Sequence, residues 1–186
     1  MKFAISLYLI LSTFEYTLQC GCPAVYTQQI VCYSDIVMKA RIDDQDVHVG
    51  EFTISIDEIY KGEDVLDSLP NNRTLTTPLE SSKCGPLTLD TGKTYIMTAN
   101  SYEGRPMTIN FCDFFAEEHE ISLTLLRGLS GEYFNNCDCK IPYLWDDDTR
   151  RGRLRCRRPR RGCSSDAICS KNTRGRCKWQ SCRRMI

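Results

Sequence analysis

The chain has 186 residues, with 24 Lys/Arg balanced by 24 Asp/Glu, 12 cysteines and only 2 histidines. That length allows one ordinary domain and a small appendage. No HExxH sequence occurs, and the closest cysteine pairs, Cys20/Cys22 and Cys137/Cys139, are separated by one residue, whereas zinc pairs usually enclose roughly two to four. The chain therefore does not read as a zinc enzyme, and no cofactor of its own is expected.

Residues 1–19 read as a secretory signal. Lys2 supplies the positive start and AISLYLILSTF the apolar run, which is too short to span a bilayer. Thr17 and Gln19 are not the small pair that cleavage prefers, so cleavage before Cys20 is an inference. No later segment could span a membrane, and the product is expected outside the cell, in the extracellular space or matrix. All 12 cysteines lie at or after Cys20. An even number in an oxidising compartment reads as six disulfides. Asn72-Arg73-Thr74 is a glycosylation sequon.

After residue 20 the neutral chain divides. Residues 20–139 hold 8 Lys/Arg and 19 Asp/Glu; residues 140–186 hold 15 Lys/Arg and 4 Asp. Apolar periodicity fades after Ile141, so a boundary is placed near Cys139, giving a 20–139 domain and a basic cysteine-rich 140–186 subdomain.

The first part is mainly β. Asp35 to Ile42 is a dense apolar run, as a strand buried on both faces would be. The loop Asp43 to Gly50 reads as short and acidic. Phe52, Ile54 and Ile56 alternate with polar residues, but Ile59 falls on the wrong face, so a bulge near Asp57 is expected. Lys93 to Ala99 is a second dense run. Met107, Ile109 and Phe111 alternate again, with Gly, Asn and Pro punctuating the intervals. One helix is expected from Glu117 to Arg127, with an acidic first turn, an apolar face of Ile121, Leu125 and Leu126, and Gly128 as its stop. His119 reads as a solvated surface residue. Several short strands with one helix suggest a small closed or partly open barrel.

The segment CGCPAVYTQQIVCYSDIVMKAR resembles the mature start of the tissue inhibitors of metalloproteinases: Cys20, Cys22, Gln28, Gln29, Cys32, Asp35, Val37, Lys39 and Ala40 match without a gap. SSKCGPLTLDTGKTYIMTA and INFCDFF followed by LRGLSGEYFNNCDCKI are similar to two further family blocks. The likeness covers the first domain and extends to the related netrin-like modules. It implies a five-stranded OB-type barrel with a flanking helix, and bridges Cys20–Cys84, Cys22–Cys112 and Cys32–Cys137. It also implies that the α-amine and carbonyl of mature N-terminal Cys20 chelate the active-site zinc of a target protease. Gly21, Cys22, Pro23 and Ala24, with Ser82 and Lys83, would line that enzyme's cleft. The implied partners are zinc metalloproteinases, either matrix enzymes or membrane-anchored relatives.

Two positions depart from the family. Gly21 stands where the family usually has Thr or Ser, which points to weaker or narrower inhibition, and Lys83 replaces a small or apolar residue. The residues also leave open a non-inhibitory netrin-like module that binds matrix or a receptor.

After residue 138 come six cysteines, Cys139, Cys156, Cys163, Cys169, Cys177 and Cys182, whose pairings cannot be assigned from spacing. RRGRLRCRRPRRG contributes Arg150, Arg151, Arg153, Arg155, Arg157, Arg158, Arg160 and Arg161 as candidate ligands for sulfated glycosaminoglycans. Nucleic acid would be drawn by the same charge, but a secreted chain rarely meets it. Arg158 to Arg161 also resembles a proprotein-convertase site. Alternatively, the acidic barrel docks on the basic tail.

Overall fold

The computed structural model describes residues 20–102, 105–143, 152–157 and 163–180. Residues 1–19, read above as a signal, five of the candidate arginines (150, 151, 158, 160 and 161) and Cys182 lie outside them.

The chain enters through an extended, exposed stretch and forms helix α1 at Thr27–Tyr33. The Gln29 side chain accepts from the Tyr26 N–H at 3.0 Å, satisfying one of the amides a helix start leaves open. At the other end, Lys61 Nζ donates to the carbonyls of Val31, Cys32 and Ser34. A cation there meets the negative end of the helix, and burial lowers its pKa.

Two long strands follow, β1 at Ile36–Asp46 and β2 at Glu51–Lys61. The short helix α2 at Glu63–Asp67 leads to β3 at Thr74–Thr76. Then come β4 at Thr94–Ala99, β5 at Met107–Thr108 and β6 at Phe115–Glu117. The six strands form one sheet in the order β5-β3-β2-β1-β4-β6. It curls until Asn100, just past β4, pairs with Thr108 of β5 through bonds of 3.0 and 2.8 Å. Five strands thus wrap one core, and β6 extends the outer edge of β4.

The pairing of β1 with β2 skips Asp57: Lys39 faces Glu58 and Ala40 faces Ile56. This is the bulge that the slipped alternation demanded. The dense apolar runs are explained too. Met38, Ala40, Ile42, Tyr95 and Met97 point into the barrel with Phe52, Ile54, Leu75 and Met107. Val37 and Ile96 point the other way and are equally covered, by Val31 of α1, Leu125, Leu129, Tyr133 and Ile168. Each such side chain contributes about 1.5–3 kcal/mol by leaving water.

Three sequence expectations are corrected. Glu117 belongs to β6, pairing with Tyr95, and Glu118–Glu120 form a separate 3₁₀ turn. The helix α3 starts only at Leu123, because Ser122 caps it: its Oγ accepts from the Leu125 N–H at 3.0 Å. It ends at Arg127 as expected, but the chain continues in a wide π turn over Gly128–Glu132. Gly128 is required there, since a Cβ would sit 2.4 Å from the Tyr133 ring. Within the apolar alternation, Met107 and Ile109 are buried while Phe111 is exposed, because pairing stops and the chain turns at Asn110–Asp113. The acidic loop is largely strand: β1 runs to Asp46, and the turn itself presents exposed Val47 and Val49.

The C-terminal residues form a hairpin, β7 at Ile168–Lys171 with β8 at Cys177–Gln180. It packs on α1. Gln28, 1% exposed, donates from Nε2 to the Cys169 carbonyl at 2.9 Å and accepts from the Cys169 N–H at 2.7 Å. A side-chain amide here takes the place of a neighbouring strand. Asp166 reinforces the joint, accepting from Thr27 Oγ1 at 3.1 Å and Ser122 Oγ at 2.9 Å, while the Tyr133 hydroxyl donates to its carbonyl at 2.6 Å. Among the described residues no helix is long and apolar enough to cross a membrane.

Replacing Gln28 with Leu strands both Cys169 backbone groups without partners. The expected loss is about 2–4 kcal/mol, read as a lowered denaturation midpoint under non-reducing conditions. Wild-type stability in Gln28→Leu would refute the strand-substitute role.

Candidate functional site: the disulfide-pinned edge

Residues 20–25 belong to no helix or strand, and Gly21 to Ala24 are exposed. Covalent bonds hold them. Cys20 is bridged to Cys84 and Cys22 to Cys112, with Cα separations of 5.0 and 5.1 Å. The two bridges stack: Cys112 Sγ lies 3.3 Å from Cys84 Sγ and 3.6 Å from Cys20 Sγ. Four cysteine sulfurs this close could suggest a metal centre, but metal binding needs free thiolates and all four are spent in disulfides. Cys32–Cys137 ties α1 to the turn after Tyr133. These bridges span 64, 90 and 105 residues; in the chain-entropy account each contributes roughly 4–5 kcal/mol.

The anchoring loops are themselves fixed. Ser81–Lys83 form a 3₁₀ turn that ends at Cys84, which takes the left-handed conformation with φ 62°. Ser82 and Lys83 are exposed on this turn, directly beside the Cys20–Cys84 bridge. Lys83 pairs with Glu80 at 3.0 Å; with both side chains exposed, the pair contributes little. Next to Cys84, Gly85 is obligatory, since a Cβ would lie 1.6 Å from the Pro78 carbonyl oxygen. The Phe111 N–H donates to the Cys84 carbonyl at 2.9 Å, stitching the second loop to the first.

Around Cys112 a side-chain network sets the turn. Asn110 Oδ1 accepts from the Cys112 N–H at 2.8 Å, and Asp113 accepts from the Asn110 N–H at 2.8 Å and from Asn100 Nδ2 at 3.2 Å. Burial pushes the Asp113 carboxyl above its ordinary value, and the hydrogen bonds from Asn110 and Asn100 oppose this. Asn100 also accepts from the Asp35 N–H at 3.3 Å, so the turn is indexed to the start of β1.

The seven edge residues singled out from the sequence are therefore brought together: Cys20 to Ala24 on one strip, with Ser82 and Lys83 alongside. Phe111, 52% exposed beside Cys112, was missed because its alternation with Met107 and Ile109 suggested burial. The roles of Gly85 and Asp113 were also unread; the Asn-x-x-Asp spacing in NFCD was the available signal.

Asn72 is exposed in the turn before β3. Among the candidate arginines, Arg153 is used structurally, donating to the carbonyls of Arg174 at 3.0 Å and Gly175 at 3.3 Å. Arg155 and Arg157 flank a basic cleft. The C-terminal part holds Cys139–Cys177 and Cys156–Cys169, and Cys163 is disulfide-bonded as well.

A model of the family described as tissue inhibitor of metalloproteinase matches residues 18–179. The chain belongs to that family. It is 27% identical over 129 residues to metalloproteinase inhibitor 3 of Gallus gallus, covering 66% of this chain and 58% of the relative. It is 26% identical over 155 residues to metalloproteinase inhibitor 2 of Rattus norvegicus, covering 76% and 68%. A tissue inhibitor of metalloproteinase from Drosophila melanogaster is 26% identical over 138 residues, covering 72% and 63%. The chain thus spans well short of the full length of the chicken and fly relatives.

Within this chain, Gly21 and Gly85 make opposite demands. A Cβ at Gly21 meets nothing within 4 Å. Gly21→Thr is expected to change folding stability by no more than about 0.5 kcal/mol, whereas Gly85→Ala is expected to cost about 2–4 kcal/mol. Thermal unfolding of the two variants checks this; equal stabilities would contradict the packing at Pro78.

Proposed function

We propose that this chain is a secreted protein inhibitor of zinc metalloproteinases, not an enzyme, and that Cys20 is its working residue. The observation that carries this is the exposed strip Cys20 to Ala24, held by two stacked disulfides beside the Ser82–Lys83 turn. The names of the relatives and the family match support inhibition in general.

Once residues 1–19 are removed, Cys20 carries a free α-amine next to its own carbonyl. Catalytic zinc in a protease keeps one coordination position open for water or substrate. A neutral amine is a good nitrogen donor, and an ordinary α-amino pKa near 8 makes its deprotonation inexpensive. The Cys20 sulfur is not the ligand, because it is committed to Cys84. Its bridge instead removes the freedom that the amine and carbonyl would otherwise lose on binding. One residue left in front of Cys20 would turn the amine into an amide, which has no lone pair to offer zinc.

Gly21 to Ala24, Ser82 and Lys83 would occupy the cleft as a substrate does. Gly21 offers no side chain to the pocket beside the zinc. An unfilled apolar pocket costs about 1–3 kcal/mol, or roughly 10- to 200-fold in affinity, so enzymes with a shallow pocket suffer least. Lys83 favours targets with an acidic cleft rim. The intended enzymes are matrix metalloproteinases or membrane-anchored relatives. The basic C-terminal part would hold the inhibitor on sulfated glycosaminoglycans of the matrix.

The test is an inhibition titration of several matrix and membrane-anchored metalloproteinases. Protein with Cys20 verified as its first residue is expected to inhibit; the same protein with one extra N-terminal alanine is not. Equal inhibition by both forms would overturn the amine mechanism. No inhibition by either would leave the netrin-like binding module.

Gly21→Thr in the same panel is expected to tighten inhibition by about tenfold or more for enzymes with a deep pocket. Unchanged constants throughout would refute the role assigned to Gly21.

A further inference from the structure

Four cysteine sulfurs meet beneath the exposed strip. Cys112 Sγ lies 3.3 Å from Cys84 Sγ and 3.6 Å from Cys20 Sγ, although Cys112 is bonded to neither, and Cys20 Sγ lies 4.0 Å from Cys22 Sγ. Each bridge therefore has the other within reach. Cys22 is exposed, while Cys20, Cys84 and Cys112 are half-buried. The sulfurs of Cys139, Cys169 and Cys177 also cluster, but all three residues are buried. Cys137 is exposed, yet Cys32–Cys137 belongs to no such cluster among the described residues. Only the cluster at the Cys20 edge combines an exposed bridge with a second bridge beside it.

Gly21 adds a second condition. It separates Cys20 from Cys22 and brings no side chain into the space around it. Glycine also reaches backbone conformations closed to other residues, so the two cysteines can turn toward one another. On the barrel side, the Phe111 N–H donates to the Cys84 carbonyl at 2.9 Å, which keeps the loops carrying Cys84 and Cys112 together whichever bridges are closed.

We infer that the paired bridges form a thiol-triggered switch: a small-molecule thiol such as glutathione re-pairs them as Cys84–Cys112 and Cys20–Cys22 and frees the Cys20 edge from the barrel. The exchange does not rest on the inhibitor reading; its effect on inhibition does. In the first step the thiolate attacks Cys22 Sγ. A mixed disulfide forms, the Cys22–Cys112 bond breaks, and Cys112 leaves as a thiolate. Its side chain, no longer tethered, rotates and attacks Cys84 Sγ. The Cys84–Cys112 bond forms, the Cys20–Cys84 bond breaks, and Cys20 leaves as a thiolate. Cys20 then attacks Cys22 and expels the small thiol. Two disulfides enter and two remain, so nothing is oxidised or reduced overall and the thiol acts as a catalyst. Both later steps are intramolecular and gain from proximity. Residues 20–25 belong to no helix or strand; once the ties to Cys84 and Cys112 are gone, the strip recovers backbone freedom that the native pairing withholds.

The experiment incubates the chain beginning at Cys20 with substoichiometric glutathione at neutral pH. Acid and an alkylating agent then stop exchange, and mass spectrometry of unreduced peptides reads the pairs. Peptides joined by Cys20–Cys22 and by Cys84–Cys112 are expected to accumulate together, with Cys32–Cys137 intact and no gain in free thiol. Persistence of the native pairs, or opening of Cys32–Cys137 at the same rate, would overturn the switch. Gly21→Thr is expected to lower the yield of Cys20–Cys22 by about threefold or more; an equal yield would refute the part given to Gly21. In Cys22→Ser, which leaves Cys112 unpaired from the start, the free thiol is expected on both Cys112 and Cys20 without added glutathione, and label on Cys112 alone would count against the second step. Pair mapping needs no protease. Inhibition that survived complete re-pairing would therefore overturn the pinned edge of the proposed function while leaving the exchange itself established.

Discussion

Residues 20–25 belong to no helix or strand and are exposed at Gly21 to Ala24, yet two disulfides constrain them. The two bridges stack sulfur against sulfur. They transfer the rigidity of the barrel to a strip that could not fold by itself. The loops at Cys84 and Cys112 are set by Gly85 and by the Asn110–Asp113 network, which lead back to β1 through Asn100. The barrel thus fixes the positions of Cys84 and Cys112.

The barrel can do this because its central strands are buried on both faces. Met38 and Met97 fill the inside, while Val37 and Ile96 are covered from outside by α1, α3, the π turn and the hairpin. A sheet with one wet face would leave α1 without a platform, and α1 carries the chain directly from the Cys20 edge into the fold. Lys61 locks the far end of that helix through three carbonyls.

Much of this was legible from residue order. The bulge at Asp57 follows from Ile56 and Ile59 falling on opposite faces, and double burial follows from the dense apolar runs at Asp35–Ile42 and Lys93–Ala99. The bridge partners were legible only through resemblance, since spacing cannot choose among pairings. The helix start was misplaced because acidic residues at 117–120 imitate a first turn, while the hydroxyl of Ser122 provides the stronger cap. The basic cleft was half legible: an arginine run advertises charge, but which strand will lie opposite is a matter of tertiary packing.

The joint between the barrel and the hairpin has an evolutionary consequence. Gln28 supplies both a donor and an acceptor to Cys169, and Thr27, Ser122 and Tyr133 converge on Asp166. These contacts depend on matching positions from opposite ends of the chain. The two parts are therefore not interchangeable modules. A hairpin shifted by one residue would turn the backbone edge of Cys169 away from the buried Gln28, so α1 and the hairpin must change together, whereas positions 21 and 83 carry no such packing constraint.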